Sequence, residues 1–233
     1  MSTRPETTLF LLVSVDGKIS TGDTDEMDVD KDFPRIDGVR EGLQQYYDLE
    51  KTTDLFSLNS GRVLEKIGVN EKKENPPKTS VTFIVIDNKP HLKESGVRFM
   101  AAKAGKLVIV TANPNHPAIS LKDELLNIEV LAYKDEIDFQ DMFQKLKSDF
   151  GAERVTIQTG GTLNAVFVRE GLVDHLSLVV APALIGGSDT SSLMDGESLH
   201  KEDELFKIKP LILKSATPLE HNYLHLQYGV VNG

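Results

Sequence analysis

The sequence predicts an α/β fold with a mixed, mostly parallel central sheet, flanking helices and antiparallel C-terminal strands. Up to Gly171, short apolar runs bounded by turn residues alternate with segments of helical spacing. After Gly171, strand-like runs follow one another with no long helix between them. The first pattern is typical of a parallel sheet, and the second adds an antiparallel edge. Because no linker interrupts the alternation, we expect residues 1–233 to form one domain.

Two strand–helix pairs are predicted in the first part of the chain. A short apolar run stops at Asp16 and Gly17, as a buried strand does where it enters a turn. In the next segment, apolar residues recur at helical spacing, with Asp32 as the candidate cap and Pro34 in the first turn. The predicted elements are a strand over 9–15, a helix over 34–47, a strand over 55–58, and a helix that opens at 59–61 and runs through 67.

The alternation continues after a polar, proline-containing loop over 69–79. The predicted elements are a strand over 81–86, a helix over 96–104, strands over 106–110 and 128–131, a helix over 139–150, a strand over 155–158, and a helix that follows 160–161. Strands over 176–180, 205–213 and 223–228 close the chain.

The composition excludes several classes of site. The chain has 233 residues and no cysteine. Disulfide frameworks, thiolate metal sites, cysteine nucleophiles and the cysteine-bearing zinc site of deaminases are therefore excluded. Hydrophobic residues make up 39% of the chain, which supplies a core without covalent support.

The charge and the N-terminal hydropathy disfavour two kinds of partner. Lys and Arg number 26 against 36 for Asp and Glu, which gives a net charge of −10. We therefore expect no nucleic-acid partner, since such proteins carry a basic surface. The apolar run over 9–13 is too short for a signal sequence or a membrane span. The chain is accordingly expected to be cytoplasmic, without a membrane partner, and to act on a small molecule.

The clearest local motif is a double glycine, Gly160-Gly161, between a strand and a helix. Unpaired N–H groups at a helix N-terminus attract anions, and glycine lets a phosphate come close because it has no Cβ. A tight turn that needs glycine for its own geometry explains the motif equally well. The spacing matches neither the dinucleotide-binding fingerprint nor the P-loop.

A second junction of the same kind lies at Ser60, Gly61 and Arg62. The Arg62 guanidinium can engage a phosphate through several donors, although a solvated surface arginine is the more frequent case. A third strand ends near Thr111 and Asn113. Ends of parallel strands meet at the carboxyl edge of the sheet, where such folds bind ligands.

Three motifs in the same order resemble the reductase domain of riboflavin biosynthesis, the C-terminal RibD type within the dihydrofolate-reductase-like superfamily. They are SVDGKI at 14–19, GGTLN at 160–164, and GLVD at 171–174 followed by LSLVVAPALIGG at 176–187. The resemblance covers nearly the whole chain. It implies hydride transfer from NADPH to a heterocyclic or sugar-imine substrate, and a homodimer.

The resemblance also implies which residues meet the cofactor. The pyrophosphate and the nicotinamide side would contact Gly160, Gly161, Thr162, Leu163 and Asn164. The phosphates would lie at the helix start formed by Ser60, Gly61 and Arg62, and the adenosine 2′-phosphate near Thr111 and Asn113. Val13 and Ile19 would flank the nicotinamide.

Substrate contacts are expected from Ser14, Asp16, Thr21 and Asp37. Asp16 is the candidate catalytic residue, and Asp32 and Asp37 are the other carboxylates that could contact the substrate or donate a proton. The narrowest substrate implied is 5-amino-6-(5-phosphoribosylamino)uracil. A reductase of another small heterocycle, such as a pterin, and a non-catalytic nucleotide-binding relative are the alternatives.

The chain departs from the family pattern in places. The segment DLFSLNSGRVLEKIG at 54–68 replaces a glycine-threonine-valine element and the acidic, proline-containing stretch after it. Thr159 stands where a glutamate commonly precedes the double glycine, and His175 stands where an acidic residue is usual. We expect Gly161→Val to crowd the pyrophosphate while leaving the protein folded.

Three further motifs favour structural roles. Residues 149–151 spell DFG, but no other kinase motif accompanies them, so a helix end is expected. His221 and His225 lack further clustered ligands for a metal. The acidic run over 23–32 does not match a calcium-binding loop and is interpreted as a solvated loop over the site.

Overall fold

The computed structural model describes residues 2–232, and within them the chain divides into two compact units. The first unit consists of Asp54–Gln158 together with the residues up to Pro5. The second consists of Glu6–Thr53 and the chain from Thr159 onward. Each unit draws on segments that are distant in sequence, because the chain leaves the second unit after residue 53 and returns to it after residue 158.

Nine strands are present in the described residues. They are β1 (Glu6–Ser14), β2 (Phe56–Ser60), β3 (Thr82–Ile86), β4 (Lys106–Thr111), β5 (Ile128–Ala132), β6 (Arg154–Gln158), β7 (His175–Ala181), β8 (Leu211–Pro218) and β9 (Leu224–Val230). The α-helices are α1 (Val29–Asp32), α2 (Gln44–Glu50), α3 (Gly61–Lys66), α4 (Glu94–Lys103), α5 (Pro117–Leu121), α6 (Phe139–Ser148) and α7 (Gly161–Arg169). Each strand lies close to a predicted one, except β8, which begins later.

The first unit contains five parallel strands in the order β5-β4-β3-β2-β6. The inner strands β3 and β4 are nearly continuous apolar runs, as expected where helices cover both faces of a parallel sheet. Val85, Leu107 and Ile109 are fully buried against Val97 and Met100 of α4. Burying each of these side chains stabilises the fold by about 1.5–3 kcal/mol.

The second unit has the strand order β1-β7-β9-β8. β1 and β7 are parallel, and β9 pairs antiparallel with both β7 and β8. Phe10 of β1 stacks on Tyr46 of α2, with ring centroids 5.2 Å apart, and Phe33 and Tyr223 are buried in the same cluster. The predicted fold class, with mostly parallel strands, flanking helices and antiparallel C-terminal strands, is confirmed.

The helix predicted over 34–47 is wrong as one continuous element. The segment forms a 3-10 turn at Phe33–Arg35, another at Arg40–Gly42, and then α2. Gly38 lies between the two turns with φ of +84°, a left-handed conformation that a right-handed helix does not continue through. Asp32 occupies the N-cap position of the first 3-10 turn, but its side chain makes no capping hydrogen bond there; it is also the last residue of α1, which Asp28 caps.

The strand predicted over 205–213 is also wrong in its first half. Residues Glu202–Lys207 form a 3-10 helix, and β8 begins at Leu211. The Glu204 carboxylate accepts the N–H of His200 at 2.7 Å and pairs with Lys207 at 2.5 Å, which holds the turn closed. Pro210, which has no N–H to donate to a β-ladder, directly precedes β8, so the strand begins at Leu211.

The helices bear on the DFG triplet and on membrane-spanning segments. Gly151, in the DFG triplet, follows α6 with φ of +72°, so the predicted helix end is confirmed. Among the helices of residues 2–232, none has the length and apolar character needed to cross a membrane.

Candidate functional site

In the second unit, Asp16 lies in the turn after β1 and is held by hydrogen-bond donors. The buried Ser14 hydroxyl donates to Asp16 Oδ1 at 2.5 Å. The backbone N–H of Gly186 donates to Oδ2 at 2.6 Å, and that of Ile185 lies 3.2 Å from both oxygens. These bonds, first from Ser14 and then from Gly186, lower the pKa of Asp16 to about 2. Asp16 is therefore a carboxylate at neutral pH and acts as an acceptor, with no proton to donate.

The other predicted substrate residues are also engaged with carboxylates or cations. The Thr21 hydroxyl donates to Asp32, which also accepts the N–H of Asp28 at 3.0 Å. The acidic run therefore shapes the loop between β1 and α1 through its own hydrogen bonds. The exposed Asp37 pairs with Arg40 at 2.7 Å. The hydroxyl groups of Ser14 and Thr21 are thus both hydrogen-bonded to carboxylates, those of Asp16 and Asp32.

The double glycine at the start of α7 divides into one packed and one open position. A Cβ at Gly161 would overlap with the carbonyl oxygen of Ser192 and the carboxylate of Asp195. A Cβ at Gly160 would meet no atom within 4 Å. Gly161 is therefore required by packing within the second unit. Gly161→Val is therefore expected to disturb this packing as well as any bound pyrophosphate, so Gly160 is the position that tests for a ligand.

The remaining residues of this motif have different environments. Thr162 is exposed and Leu163 is half-buried, whereas Asn164 is fully buried. The Thr159 hydroxyl donates to Asn164 Oδ1 at 2.6 Å, and Asn164 Nδ2 donates to the Leu193 carbonyl at 2.9 Å. Asn164 therefore fixes the segment around Leu193, and threonine at 159 completes that arrangement.

Val13 and Ile19, the two residues expected beside the nicotinamide, differ in exposure. Val13 is buried and pairs with Val180 of β7, while Ile19 is half-buried. The N–H of Ile19 donates to the Ser191 carbonyl at 3.0 Å. Of the two side chains, only that of Ile19 has surface available for a ligand.

In the first unit, α3 begins against a buried carboxylate. Ser60 caps the helix by accepting the N–H of Val63 at 3.4 Å. A Cβ at Gly61 would overlap with the Asp87 carboxylate, so this glycine is also required by internal packing. The Arg62 side chain is exposed at the same helix start.

Asp87 is the centre of a polar cluster that sequence reasoning missed. Its carboxylate is 1% exposed and accepts hydrogen bonds of 2.9–3.0 Å from the His91 N–H, His91 Nδ1, the Leu92 N–H and His116 Nε2. Burial alone would raise the pKa of Asp87, but the bonds from His116, His91 and Leu92 together hold it below its usual value. The carboxylate is therefore ionised inside the first unit.

The tautomer of His116 follows from its second nitrogen. His116 Nδ1 accepts the N–H of Ala118 at 3.1 Å and so caps α5. Because Nδ1 accepts, the proton lies on Nε2, which donates to Asp87. One histidine thus joins the start of α5 to the buried carboxylate. Asp and His separated by 29 residues carry no local pattern, which is why the sequence did not reveal the pair.

Thr111 and Asn113 lie at the end of β4, beside the same cluster. The buried Thr111 hydroxyl donates to the Asp87 carbonyl at 2.9 Å and accepts the Asn113 N–H at 3.1 Å. Asn113 Oδ1 accepts the N–H of Asn115 at 2.9 Å. Thr111 shapes the turn after β4, while Asn113 is half-buried and remains a predicted contact.

The two histidines near the C-terminus have structural surroundings. His225 Nε2 lies 2.8 Å from the Ser177 hydroxyl, and burial lowers the pKa of His225. His221 occupies a turn with φ of +56°. Within residues 2–232, no group of three or more His, Asp or Glu side chains could hold a metal ion.

Comparison with known proteins gives matches along nearly the whole chain. RibD of Actinobacillus pleuropneumoniae is 24% identical over 232 residues, which are 98% of this chain and 58% of that protein. A Methanothermobacter thermautotrophicus protein, 2,5-diamino-6-ribosylamino-4(3H)-pyrimidinone 5′-phosphate reductase, is 23% identical over 210 residues, 88% of this chain and 91% of its own length. The chain thus spans about three fifths of that RibD and nearly all of the archaeal reductase.

Solved structures show the same fold. Acinetobacter baumannii RibD superposes with a TM-score of 0.68 at 14% identity, over 99% of this chain and 59% of that one. A riboflavin biosynthesis reductase of Saccharomyces cerevisiae superposes with a TM-score of 0.60 at 16% identity, over 99% of this chain and 92% of that one. The RibD C-terminal domain family matches residues 5–220. The resemblance predicted from the glycine motifs is confirmed, and the chain belongs to the RibD C-terminal domain family.

Proposed function

We propose that this protein is an NADPH-dependent reductase that acts on a phosphoribosylamino-pyrimidine. The observation that carries the proposal is the match to the archaeal pyrimidinone phosphate reductase over 91% of that enzyme's length. That enzyme is named for the reduction of a ribosylamino-pyrimidinone phosphate. Membership of a reductase family implies that the protein uses a nicotinamide cofactor, and we propose that this cofactor is NADPH.

The proposed cofactor contacts are fewer than those expected from the sequence. In the second unit, Gly160, which has open space beside it, and the exposed Thr162 lie at the start of α7, and we propose them as contacts of the cofactor. Arg62, in the first unit, stays a separate prediction, because its exposed guanidinium suits a phosphate. Gly61 and Gly161 are not proposed as contacts, because each is required by packing within its own unit.

The reaction adds hydride to the carbon of a sugar C=N group and a proton to its nitrogen. NADPH, when bound, supplies the hydride, while the protein supplies placement and polarity. Asp16 is ionised, so we assign it the role of accepting hydrogen bonds from amino or hydroxyl groups of the substrate. The proton then comes from water or from another group than Asp16.

Titration with NADPH, followed by nicotinamide fluorescence, tests binding, and loss of absorbance at 340 nm with the phosphoribosylated pyrimidine tests turnover. The graded variants Gly160→Ala and Gly160→Val should weaken NADPH binding in that order without altering folding, because residue 160 faces open space. Unchanged NADPH affinity in Gly160→Val would contradict the cofactor assignment. Saturable binding without turnover on aminopyrimidines or pterins would identify a non-catalytic relative.

We also propose that the protein is a cytoplasmic homodimer. β8 ends the strand order of the second unit, and Leu211, Ile212 and Leu213 on it are all exposed. An exposed apolar end strand is a template for pairing with another chain, and a second copy would cover it. Light scattering should give the dimer mass for the wild type and the monomer mass for Leu213→Lys. A wild-type monomer at micromolar concentration would contradict the assignment.

A further inference from the structure

Lys18, which the proposed function does not use, fastens the turn after β7 to the turn after β1. Its ammonium group donates to the carbonyls of Gly187 at 2.7 Å and Thr190 at 2.8 Å. Two residues earlier, the Asp16 carboxylate accepts the N–H groups of Ile185 and Gly186. On the turn after β1, the Asp16 carboxylate therefore binds two N–H groups of the turn after β7, and the Lys18 ammonium group binds two of its carbonyls.

Backbone hydrogen bonds extend this attachment on both sides. The N–H of Val15 donates to the Ala183 carbonyl at 2.9 Å, and the N–H of Leu193 donates to the Gly17 carbonyl at 2.9 Å. Within the attached segment, Gly186 and Gly187 have φ of +74° and +84°. Two consecutive glycines would leave a free loop with many conformations, so the side chains of Asp16 and Lys18 select one of them.

The attached segment presents apolar surface to solvent. Leu184 lies between the Val15–Ala183 hydrogen bond and the Ile185–Asp16 hydrogen bond, yet 78% of its surface is exposed. Val15, on the facing turn, is 62% exposed. Both follow the carboxyl ends of the parallel strands β1 and β7, the edge where α/β sheets bind ligands.

We propose that Lys18 is a positioning residue and that Leu184 and Val15 form the seat for the pyrimidine ring of the substrate. The proposal rests on the reductase function proposed above. A flat ring covers two apolar side chains, and the neighbouring Asp16 carboxylate, which only accepts hydrogen bonds, suits the amino groups of an aminopyrimidine. Lys18 acts through the segment it holds and does not touch the ring.

Amide hydrogen exchange tests the positioning role without any ligand. In Lys18→Met, the amides of Ile185 and Gly186, which donate to Asp16 within the attached segment, should exchange at least tenfold faster than in the wild type. Lys18→Arg keeps the charge and the donors and should restore most of the protection. Equal protection in Lys18→Met and wild type would overturn the role of Lys18, and a circular-dichroism melt establishes that each variant is folded.

Kinetics test the seat. Leu184→Ala should raise the KM for the pyrimidine about five- to tenfold and leave the NADPH dissociation constant unchanged, since removing a few buried methyl groups costs about 1 kcal/mol or somewhat more. The control is Leu126→Ala, in the first unit, where the leucine is 99% exposed and both constants should stay at wild-type values. Lys18→Met should raise the same KM, with Lys18→Arg close to wild type.

The outcomes separate this inference from the function on which it rests. If Leu184→Ala leaves the KM for the pyrimidine unchanged, or weakens NADPH binding without changing that KM, the assignment of Leu184 to the pyrimidine ring is contradicted. If the wild type turns over no pyrimidine, the proposed function fails and the seat fails with it. The exchange experiment still decides the role of Lys18 in that case, because it needs neither cofactor nor substrate.

Discussion

Replacement of the buried Asp87 by asparagine should strongly destabilise the protein while keeping nearly the same side-chain volume. Asp87 Oδ1 accepts two hydrogen bonds from His91, and Oδ2 accepts one from the Leu92 N–H and one from His116 Nε2. An asparagine converts one of these oxygens into an NH₂ group, which donates. The NH₂ can face His91, whose part-exposed ring can change tautomer so that Nδ1 accepts and only the His91 N–H loses its acceptor, or it can face the buried Leu92 N–H and His116 Nε2. His116 cannot relieve this by changing tautomer without losing the N–H of Ala118.

The expected cost follows from the donors that lose their acceptor, one with the NH₂ toward His91 and two with it toward Leu92 and His116. A buried donor without a partner costs about 1–3 kcal/mol, so the free energy of unfolding should fall by at least about 1–3 kcal/mol. That is a large share of the roughly 5–15 kcal/mol typical of a folded domain. Urea unfolding followed by far-ultraviolet circular dichroism measures it, since the chain has no tryptophan. The control is Asp48→Asn on the surface of α2, where the change should stay within about 0.5 kcal/mol.

The stabilisation lost in Asp87→Asn should also depend on pH in a defined direction. The pKa of Asp87 is lowered in the folded protein, so its contribution is fully present above the unfolded pKa of about 3.9 and is lost as the pH falls through the folded pKa. The difference in unfolding free energy between wild type and Asp87→Asn should therefore be greatest above about pH 5 and shrink in acid. A difference below 0.5 kcal/mol at pH 7, or one that does not shrink as the pH is lowered, would refute the reasoning.

Three further predictions follow from other contacts. Gly161→Ala should lower the unfolding free energy by about 1–3 kcal/mol, because its Cβ overlaps with packed atoms, whereas Gly160→Ala should leave it within about 0.5 kcal/mol in the same urea assay. Tyr223→Phe removes the buried hydroxyl that donates to the Val39 carbonyl at 2.7 Å and should cost about 1–3 kcal/mol; a neutral effect would show that water replaces the bond. Exchange protection of the segment attached to Asp16, corrected for the intrinsic rate, should be constant from pH 7 down to about pH 4 and fall only toward pH 2, since the depressed pKa keeps this carboxylate ionised until then. A loss of protection near pH 5 would contradict that pKa.

The fold class was predictable because strands and helices alternate with clear apolar periodicity, and the errors lie where local geometry decides. The helix predicted over 34–47 has the right spacing of apolar residues, but Gly38 adopts a left-handed conformation that spacing does not report. The short helix α5 was missed because its cap is His116, a residue type that sequence rules do not expect to cap a helix. Over 202–207, a single carboxylate, that of Glu204, closes a turn in a segment whose apolar residues are typical of a strand.

The glycines show most clearly what sequence alone could and could not establish about the site. A glycine at a strand-to-helix junction is required either because a ligand approaches the backbone or because another part of the chain does. Both causes produce the same residue in the sequence, so the sequence does not distinguish them. At Gly61 the chain approaches with the Asp87 carboxylate, and at Gly161 with the Asp195 carboxylate and the Ser192 carbonyl. At both helix starts an internal carboxylate faces the positive end of the helix, a favourable arrangement that needs no ligand. Gly160 has no such neighbour, and it is therefore the glycine whose substitution separates ligand binding from folding.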